Sequence, residues 1–327
     1  MAAGVTLTRP WPEDAESIVD ALSDWDVTQW LTVVPWPYDL TDAQAFIAEA
    51  GPEEHAIRMG DRLVGMVRAG QSFGIWVAPG AQRQGIALRA AVLALSRRFN
   101  DGADEVEAYH LQDNHRSATL LARLGFRPVG KEMRWSRPHG KEMPAVRLRL
   151  GITDFAARHS IALTTPRLVI DAPRHADMEA LQQIVTDPRI ARMLLLFHPR
   201  MSTADIAPIF GTQSLRMPMR LVARLDGRVI GSVGIGDGPA PKIYYFLAPD
   251  QTGQGLGQEM VSAFLDEIRA RFDPPELLAD VFLDNQPSRL LLKNLGFQRG
   301  EDGPLRSEGR DASGDGTVYS WRRRPPV

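Results

Sequence analysis

Hydrophobic residues at Leu88, Val92, Leu95 and Phe99 fall at i, i+4, i+7 and i+11, the spacing of one buried helix face, and Met260, Phe264 and Ile268 mark a second such stripe. Each stripe follows a β-rich run ending at Ala-Pro (Ala78-Pro79 and Ala248-Pro249) and a short turn containing glycine. Upstream of the first, residues 5–9 read as a strand and residues 13–22 as a helix, with Thr41 the expected N-cap of a helix running to Gly51. Residues 55–68 alternate about Gly60-Asp61 as a hairpin, and residues 73–77 read as the strand that enters the turn. Downstream come a strand at 105–111, a short helix at 114–124 and further strands ending at 146–150.

The order then repeats. Pro10, Asp14 and Glu16 recur as Pro173, Asp177 and Glu179, and a hairpin forms about Asp226-Gly227, a pair suited to a type I′ turn. DNHRSATLLARLGF (113–126) matches DNQPSRLLLKNLGF (284–297) at an offset of 171. The pattern predicts an α/β (α+β) chain of two tandem domains, 1–152 and 164–327, joined by a linker at 153–163. Past Gly300 a polar, glycine-rich stretch predicts a mobile loop before a last strand at 317–321.

Composition narrows the functional classes. Lys+Arg at 38 against Asp+Glu at 40 gives no basic field for nucleic acid or an anionic membrane. The absence of cysteine removes disulfides, thiolate metal sites and a cysteine nucleophile, and no metal is expected. No long uncharged apolar run is present, so the expectation is a cytoplasmic protein that does not enter a membrane.

A glycine turn opening a helix leaves several backbone N–H groups pointing one way beside the positive end of the helix dipole, which is an anion cradle. Gly85 in the first half, and Gly253, Gly255 and Gly257 in the second, allow a phosphate to approach the backbone. No Lys-Ser/Thr follows either turn, as a P-loop requires, and neither turn is the three-glycine dinucleotide fingerprint.

In combination, the motifs resemble the GNAT acetyltransferase superfamily. Its (Gln/Arg)-x-x-Gly-x-(Gly/Ala) turn corresponds to Gln82, Arg83, Gln84, Gly85, Ile86 and Ala87. The second copy is Thr252, Gly253, Gln254, Gly255, Leu256 and Gly257, where Thr252 departs from the pattern. The family's Asn-x-x-Ser followed by Leu-Gly-Phe appears as Asn114, Ser117 and 124–126, and again as Asn285, Ser288 and 295–297. Residues 24–50 and the opening at 165–170 look like the branch that acetylates ribosomal-protein N-termini. The resemblance implies two GNAT domains, each a mixed, mostly antiparallel twisted sheet flanked by helices. It also implies acetyl-CoA held by the two turns and the two Asn-x-x-Ser segments, with backbone donors at Trp76-Val77 and Phe246-Leu247 in a splayed fourth strand. The implied activity is direct acetyl transfer to a primary amine, a peptide N-terminus or a small molecule, in one or both domains. A non-catalytic acyl-CoA-binding scaffold is the alternative, and assembly into a homo-oligomer is left open.

The catalytic groups are less defined. Relatives often place a tyrosine in the last helix to protonate the departing thiolate, but those positions are Leu121 and Leu292, which leaves Ser117 and Ser288. The strand-4 glutamate of many relatives is replaced by Ser72 and Lys242. Substitute bases are His110, Glu107 and His55 in the first half, and Asp280, Asp284 and His198 in the second. Asp113 and Asp284 are otherwise expected as helix caps. Trp30, Trp36 and Tyr38 fall in the first acceptor region, where core packing competes with substrate contact, and the second half carries GTQSLRMP (211–218) instead.

Overall fold

The computed structural model describes residues 4–211 and 215–323. The chain forms two compact units: the first takes the residues up to His159 together with Ala270–Phe272, and the second takes the remainder from Ser160 onward. In the first, β1 (Val5–Thr8) leads to helices α1 (Ala15–Leu22), α2 (Trp25–Thr28) and α3 (Leu40–Glu49), then to β2 (Glu54–Met59), β3 (Arg62–Ala69) and β4 (Ser72–Val77). After the turn come α4 (Ile86–Asn100), β5 (Glu105–Leu111), α5 (His115–Leu124), β6 (Arg127–Ser136), β7 (Lys141–Gly151) and α6 (Ile152–His159). The strands form one seven-stranded sheet in the order β1-β2-β3-β4-β5-β7-β6. Its ladders are antiparallel except β4 with β5.

Alternation along the strands gives the sheet two apolar faces. Ala56, Met66 and Trp76 pack with Ile18, Leu22 and Ala43 of α1 and α3 on one face. The helix α4 covers the other, and of the expected stripe Val92, Leu95 and Phe99 are fully buried while Leu88, in the first turn, is half-buried. Where the linker was expected, at 153–163, α6 brings Phe155 against Phe99, ring centroids 5.1 Å apart.

The second unit repeats the plan with β8 (Leu163–Thr164), β9 (Leu168–Asp171), α7 (Met178–Val185), α8 (Pro188–Ala191), α9 (Thr203–Phe210), β10 (Met219–Leu225), β11 (Arg228–Ile235) and β12 (Ile243–Leu247). Its remaining elements are α10 (Leu256–Phe272), β13 (Glu276–Phe282), α11 (Gln286–Asn294), β14 (Gln298–Leu305) and β15 (Gly314–Arg322). Here the sheet divides into β12-β11-β10-β9-β8 and β13-β15-β14, linked by the single parallel bridge Lys242–Leu278. Phe246 and Val222 pack with Met178, Leu181 and Phe210 of α7 and α9. Asp226 and Gly227 both have positive φ, 50° and 79°, as the expected type I′ hairpin requires.

Two local expectations are overturned. The helix α3 starts two residues earlier than Thr41 suggested, because Asp39 caps it by accepting the Asp42 N–H at 3.0 Å. The stretch past Gly300 is no free loop. Residues 298–305 pair with β15, Ser307 Oγ donates to the Leu194 carbonyl, and Arg310 donates to Asp284 at 2.8 Å. Polar composition there reflects backbone and charge pairing at an exposed edge.

A buried ion pair recurs at the same strand position in both units. Arg58 of β2 donates to Asp14 at 2.7 Å, and Arg224 of β10 grips Asp177 through both terminal nitrogens, each at 2.7 Å. Burial pushes the Asp177 carboxyl up, but bonds from Arg224 and the Arg174 N–H, with their charges, hold it below its ordinary value. Its stabilising share is therefore complete above the unfolded carboxyl's pKa of about 3.9 and is lost as pH falls through the lower folded value. Arg224 Nε also donates to Asp171 at 2.9 Å, so Asp177→Ala leaves the guanidinium one carboxylate and should cost the second unit about 2 kcal/mol, measured as a lower urea midpoint at pH 7, with the deficit relative to the parent shrinking below pH 4.

Candidate active site

The strands β4 and β5 pair only at Ser72–Glu107 and Phe73–Ala108, then separate. Gly74 to Val77 continue along β3 without a bulge and have no rung to β5. Backbone direction alternates along a strand. The Ala78 N–H donates to Val64 O at 2.9 Å, and Glu107 N–H donates to Gln71 O at 3.1 Å, so Ile75 and Val77 turn their backbone toward the gap. The second unit shows the same phase. Ala248 N–H donates to Ile230 O and Leu278 N–H to Pro241 O, which turns Tyr245 and Leu247 to the gap. Of the expected donor pairs, Val77 and Leu247 therefore face the opening. Trp76 and Phe246 face β3 and β11, and their side chains join the cores beside α1–α3 and α7–α9.

Both gaps lead to an open helix start. Gly85 (φ 78°) and Gly255 (φ 76°) are the left-handed N-caps of α4 and α10, and neither helix has a side-chain cap. The first-turn N–H groups of Ile86, Ala87, Leu256 and Gly257 thus point outward with the helix dipole behind them. Gln84 Nε2 donates to Gly80 O and Gln254 Nε2 to Asp250 O, each at 3.1 Å, so these two side chains brace the turns. Gln82 Nε2 reaches back to Val77 O at 3.0 Å, while the shorter Thr252 bonds Pro249 O at 2.8 Å. Arg83 keeps a strained φ of 62°, at the position where the second unit has Gly253 at 76°.

Each turn has a neighbouring guanidinium. Arg116 donates to Gln82 Oε1 at 3.2 Å in the first unit. In the second, Arg167 is fixed by Glu259 at 2.7 Å and by Gln254 O at 2.9 Å, and its Nη2 lies 3.5 Å from where a Cβ on Gly255 would stand. In sequence Arg167 is only part of the opening at 165–170, and its proximity to a turn 87 residues later comes from the fold.

The Asn-x-x-Ser segments start α5 and α11. The caps are Asn114 and Asn285, which accept from Ser117 N–H at 3.0 Å and Ser288 N–H at 3.2 Å; the expected caps Asp113 and Asp284 do not serve. Asp284 instead binds Arg192 and Arg310, and the Arg310 bonds, above all, hold it well below its usual range. Leu121 and Leu292 are core residues, 2% and 0% exposed. A tyrosine does reach the second site, from the strand: Tyr245 OH lies 2.7 Å from Ser288 Oγ. Burial raises its pKa strongly, against the Ser288 bond and with Tyr319 adding to the rise, so the hydroxyl keeps its proton at neutral pH. The matching residue before Ala78-Pro79 is Ile75, and only strand phase, combined with alignment of the two halves, could have singled out Tyr245.

The base candidates are dispersed. Glu107 stands beside Ser72 in register, on the face bearing α1–α3, and accepts from Tyr109 OH at 3.1 Å and Arg149 at 3.4 Å. His110 points to the opposite face, with Nδ1 2.8 Å from Leu111 O. Asp280 is paired with Lys242 at 2.7 Å, so the residue replacing the usual strand-4 acid occupies the nearest carboxylate. His55 Nδ1 lies 3.2 Å from Glu53 O, and His198 Nδ1 accepts from Arg200 N–H at 3.3 Å. Tyr38 is buried in the first core, where burial and then Asp42 and Asp39 push its pKa up to about 12. Trp36 packs edge-on against Trp25 at 5.0 Å and is 40% exposed. Of the segment 211–218, residues 212–214 lie outside the described residues.

A model of the acetyltransferase (GNAT) domain matches residues 5–127 and again residues 167–298. The chain belongs to the GNAT acetyltransferase family. Among solved structures it is similar to the GNAT-family acetyltransferase from Bacillus anthracis, with 16% identity, coverage of 50% of this chain and 98% of that one, and a TM-score of 0.42. Mycobacterium smegmatis RimJ in complex with CoA-disulfide gives 19%, 50%, 86% and 0.40 for the same quantities. Ribosomal-protein-S5-alanine acetyltransferase from Vibrio fischeri gives 16%, 50%, 96% and 0.41. No curated protein matches the sequence. Among the described residues no helix is long and apolar enough to cross a membrane.

The GNAT site geometry makes a local prediction. Asn285→Ala should lower the stability of the second unit by about 1 kcal/mol through loss of the α11 cap. In the same variant, hydrogen exchange should quicken at the Ser288 amide while the α10 amides stay protected.

Proposed function

We propose that the protein is an acetyl-CoA-dependent N-acetyltransferase that transfers acetyl directly to a primary amine, a peptide N-terminus or a small molecule, in at least one of its units. The observation that carries this reading is the gap between two parallel strands ending at an uncapped helix start, present in both units. These features fit the cofactor: a Cβ on Gly253 would meet no protein atom within 4 Å, and the outward N–H groups and nearby guanidiniums suit a pyrophosphate.

Acetyl-CoA supplies the acetyl group as a thioester. The turns at 82–87 and 252–257 would hold its diphosphate, and the backbone of Val77 and Leu247 would line its arm in the gap. An N–H in that gap is a fixed donor toward charge developing on a carbonyl oxygen. The amine must shed a proton, since an α-amino group titrates near about 8 and a lysine near about 10.4. Glu107 in the first unit, and Asp280 once free of Lys242 in the second, are the carboxylates on the acceptor face that would take it. Ser288 backed by Tyr245 offers a proton to a leaving thiolate, whereas Ser117 has Ile75 in place of that tyrosine. The second unit is therefore the better equipped for turnover. The pairing of Glu107 with Arg149 and Asp280 with Lys242 favours the alternative, a non-catalytic acyl-CoA-binding protein.

Calorimetric titration with acetyl-CoA should show binding to the parent, with Gly85→Glu and Gly255→Glu each abolishing the site it blocks. No binding to the parent would remove the acetyltransferase reading. In a thiol-release assay over amines and peptide N-termini, Tyr245→Phe should reduce kcat about 10-fold with little change in acetyl-CoA affinity. Tight binding without turnover on any acceptor would support the scaffold alternative.

A further inference from the structure

Among the described residues, a buried cation beside α7 and α9 in the second unit, Arg220, has no anionic partner. Arg220 is the second residue of β10 and points to the same face as Val222 and Arg224, toward α7 and α9. It is 7% exposed, and its guanidinium carbon lies 4.0 Å from the Tyr244 ring centroid, 5.1 Å from Phe210 and 5.9 Å from Phe197. Its Nε is buried without a hydrogen-bond partner, and among the described residues no carboxylate pairs with it. Burial draws its pKa below the ordinary arginine value, with Tyr244 opposing, yet a guanidinium stays charged at neutral pH. Tyr244 also offers its hydroxyl to the guanidinium, but a buried charge with no carboxylate beside it and an unpaired Nε is costly unless something completes its bonding.

The first unit shows what the same position looks like when it is satisfied. The strand pairs Glu54–Arg68 and Arg68–Gly74 there correspond to Arg220–Gly234 and Gly234–Tyr244, because the two hairpins share their register and their bulge. In the first unit the cation, Arg68, is 51% exposed and neutralised by Glu54 at 3.3 Å and Glu53 at 3.5 Å. In the second unit the carboxylate is gone and the charge has moved one strand over. Gly234 makes room for this. A Cβ there would stand 2.2 Å from the Tyr244 ring, so only glycine lets Tyr244 and Arg220 meet across β11. The guanidinium is thereby carried to β12, the strand bordering the gap.

We propose that Arg220 receives an anionic group, carboxylate or phosphate, borne by the amine acceptor of the second unit. The proposal rests on the acetyltransferase reading for the amine, while the anion site itself does not depend on it. A planar guanidinium whose carbon lies 4.0 Å from a phenol ring centroid carries N–H donors in a fork that matches a bidentate acceptor. The acceptor class is then a small zwitterionic amine or a peptide N-terminus with an acidic group close by, and a plain alkylamine would be a poor ligand.

The test is calorimetric titration of the full-length chain with three amines: β-alanine, O-phosphoethanolamine and propylamine. One or both anionic amines should bind roughly 10-fold or more tightly than propylamine, and their order separates carboxylate from phosphate recognition. Arg220→Met should erase that preference, while Arg220→Lys should retain part of it. Equal affinities, no binding by any of the three, or a preference that survives in Arg220→Met would overturn the proposal. Should Arg220→Met fail to fold, the parent panel and Arg220→Lys decide it. A parallel acetyl-CoA titration keeps the two readings apart, since loss of cofactor binding with an intact anion preference would refute the acetyltransferase and leave the anion site standing.

Discussion

Backbone N–H and C=O groups inside a protein must be paired, and two parallel strands that part after one or two rungs break that rule locally. In the first unit the rungs end at Phe73–Ala108, and in the second a single bridge at Lys242–Leu278 remains. Everything functional is arranged about this opening. Strand phase decides which residues face it, the glycine turn and uncapped helix close one end, and the serine at the start of the last helix lies beside it. The surrounding ladders stay antiparallel and continuous, so the break stays confined to one place and the rest of the sheet holds its edges apart.

The two units share their scaffold and differ in chemistry. Both keep a buried arginine on strand two bound to the aspartate before the first helix, both brace the turn with a glutamine, and both cap the last helix with asparagine. These interactions fix backbone positions and serve any ligand. Divergent positions include Ile75 against Tyr245, Ser72 against Lys242, Glu54 against Arg220 and Arg83 against Gly253. Each change alters charge, side-chain hydrogen bonding or backbone strain. Duplication has kept the frame and left the acceptor side free to change sign.

The fold was legible in the sequence to the extent that it depends on local spacing. Helix stripes, the Asp226-Gly227 turn, the Ala-Pro strand ends and the repeated Asn-x-x-Ser segment each occupy a few consecutive residues, where periodicity and turn chemistry act directly. Boundaries were less legible. Asp39 outcompeted Thr41 for one helix start, and Asn114 and Asn285 outcompeted Asp113 and Asp284 for two others, because a shift of one or two residues is enough to aim a side chain at the right N–H. The stretch after Gly300 looked like loop because its polar residues pair with partners far away in sequence, Asp284 and the carbonyls of Ala191 and Leu194.

By itself the sequence determined the duplication, the two glycine turns that open α4 and α10, and the GNAT family, since all three rest on short-range patterns that survive being read one residue at a time. Only the tertiary structure decided which backbone groups face the gap, that Tyr245 stands on Ser288, that Asp280 is held by Lys242, and that Arg220 lies buried against Tyr244 without an acid. The reason is physical: these are contacts across strands, set by ladder register and by the face a residue takes, and a shift of one position would have sent each side chain to the opposite side of the sheet.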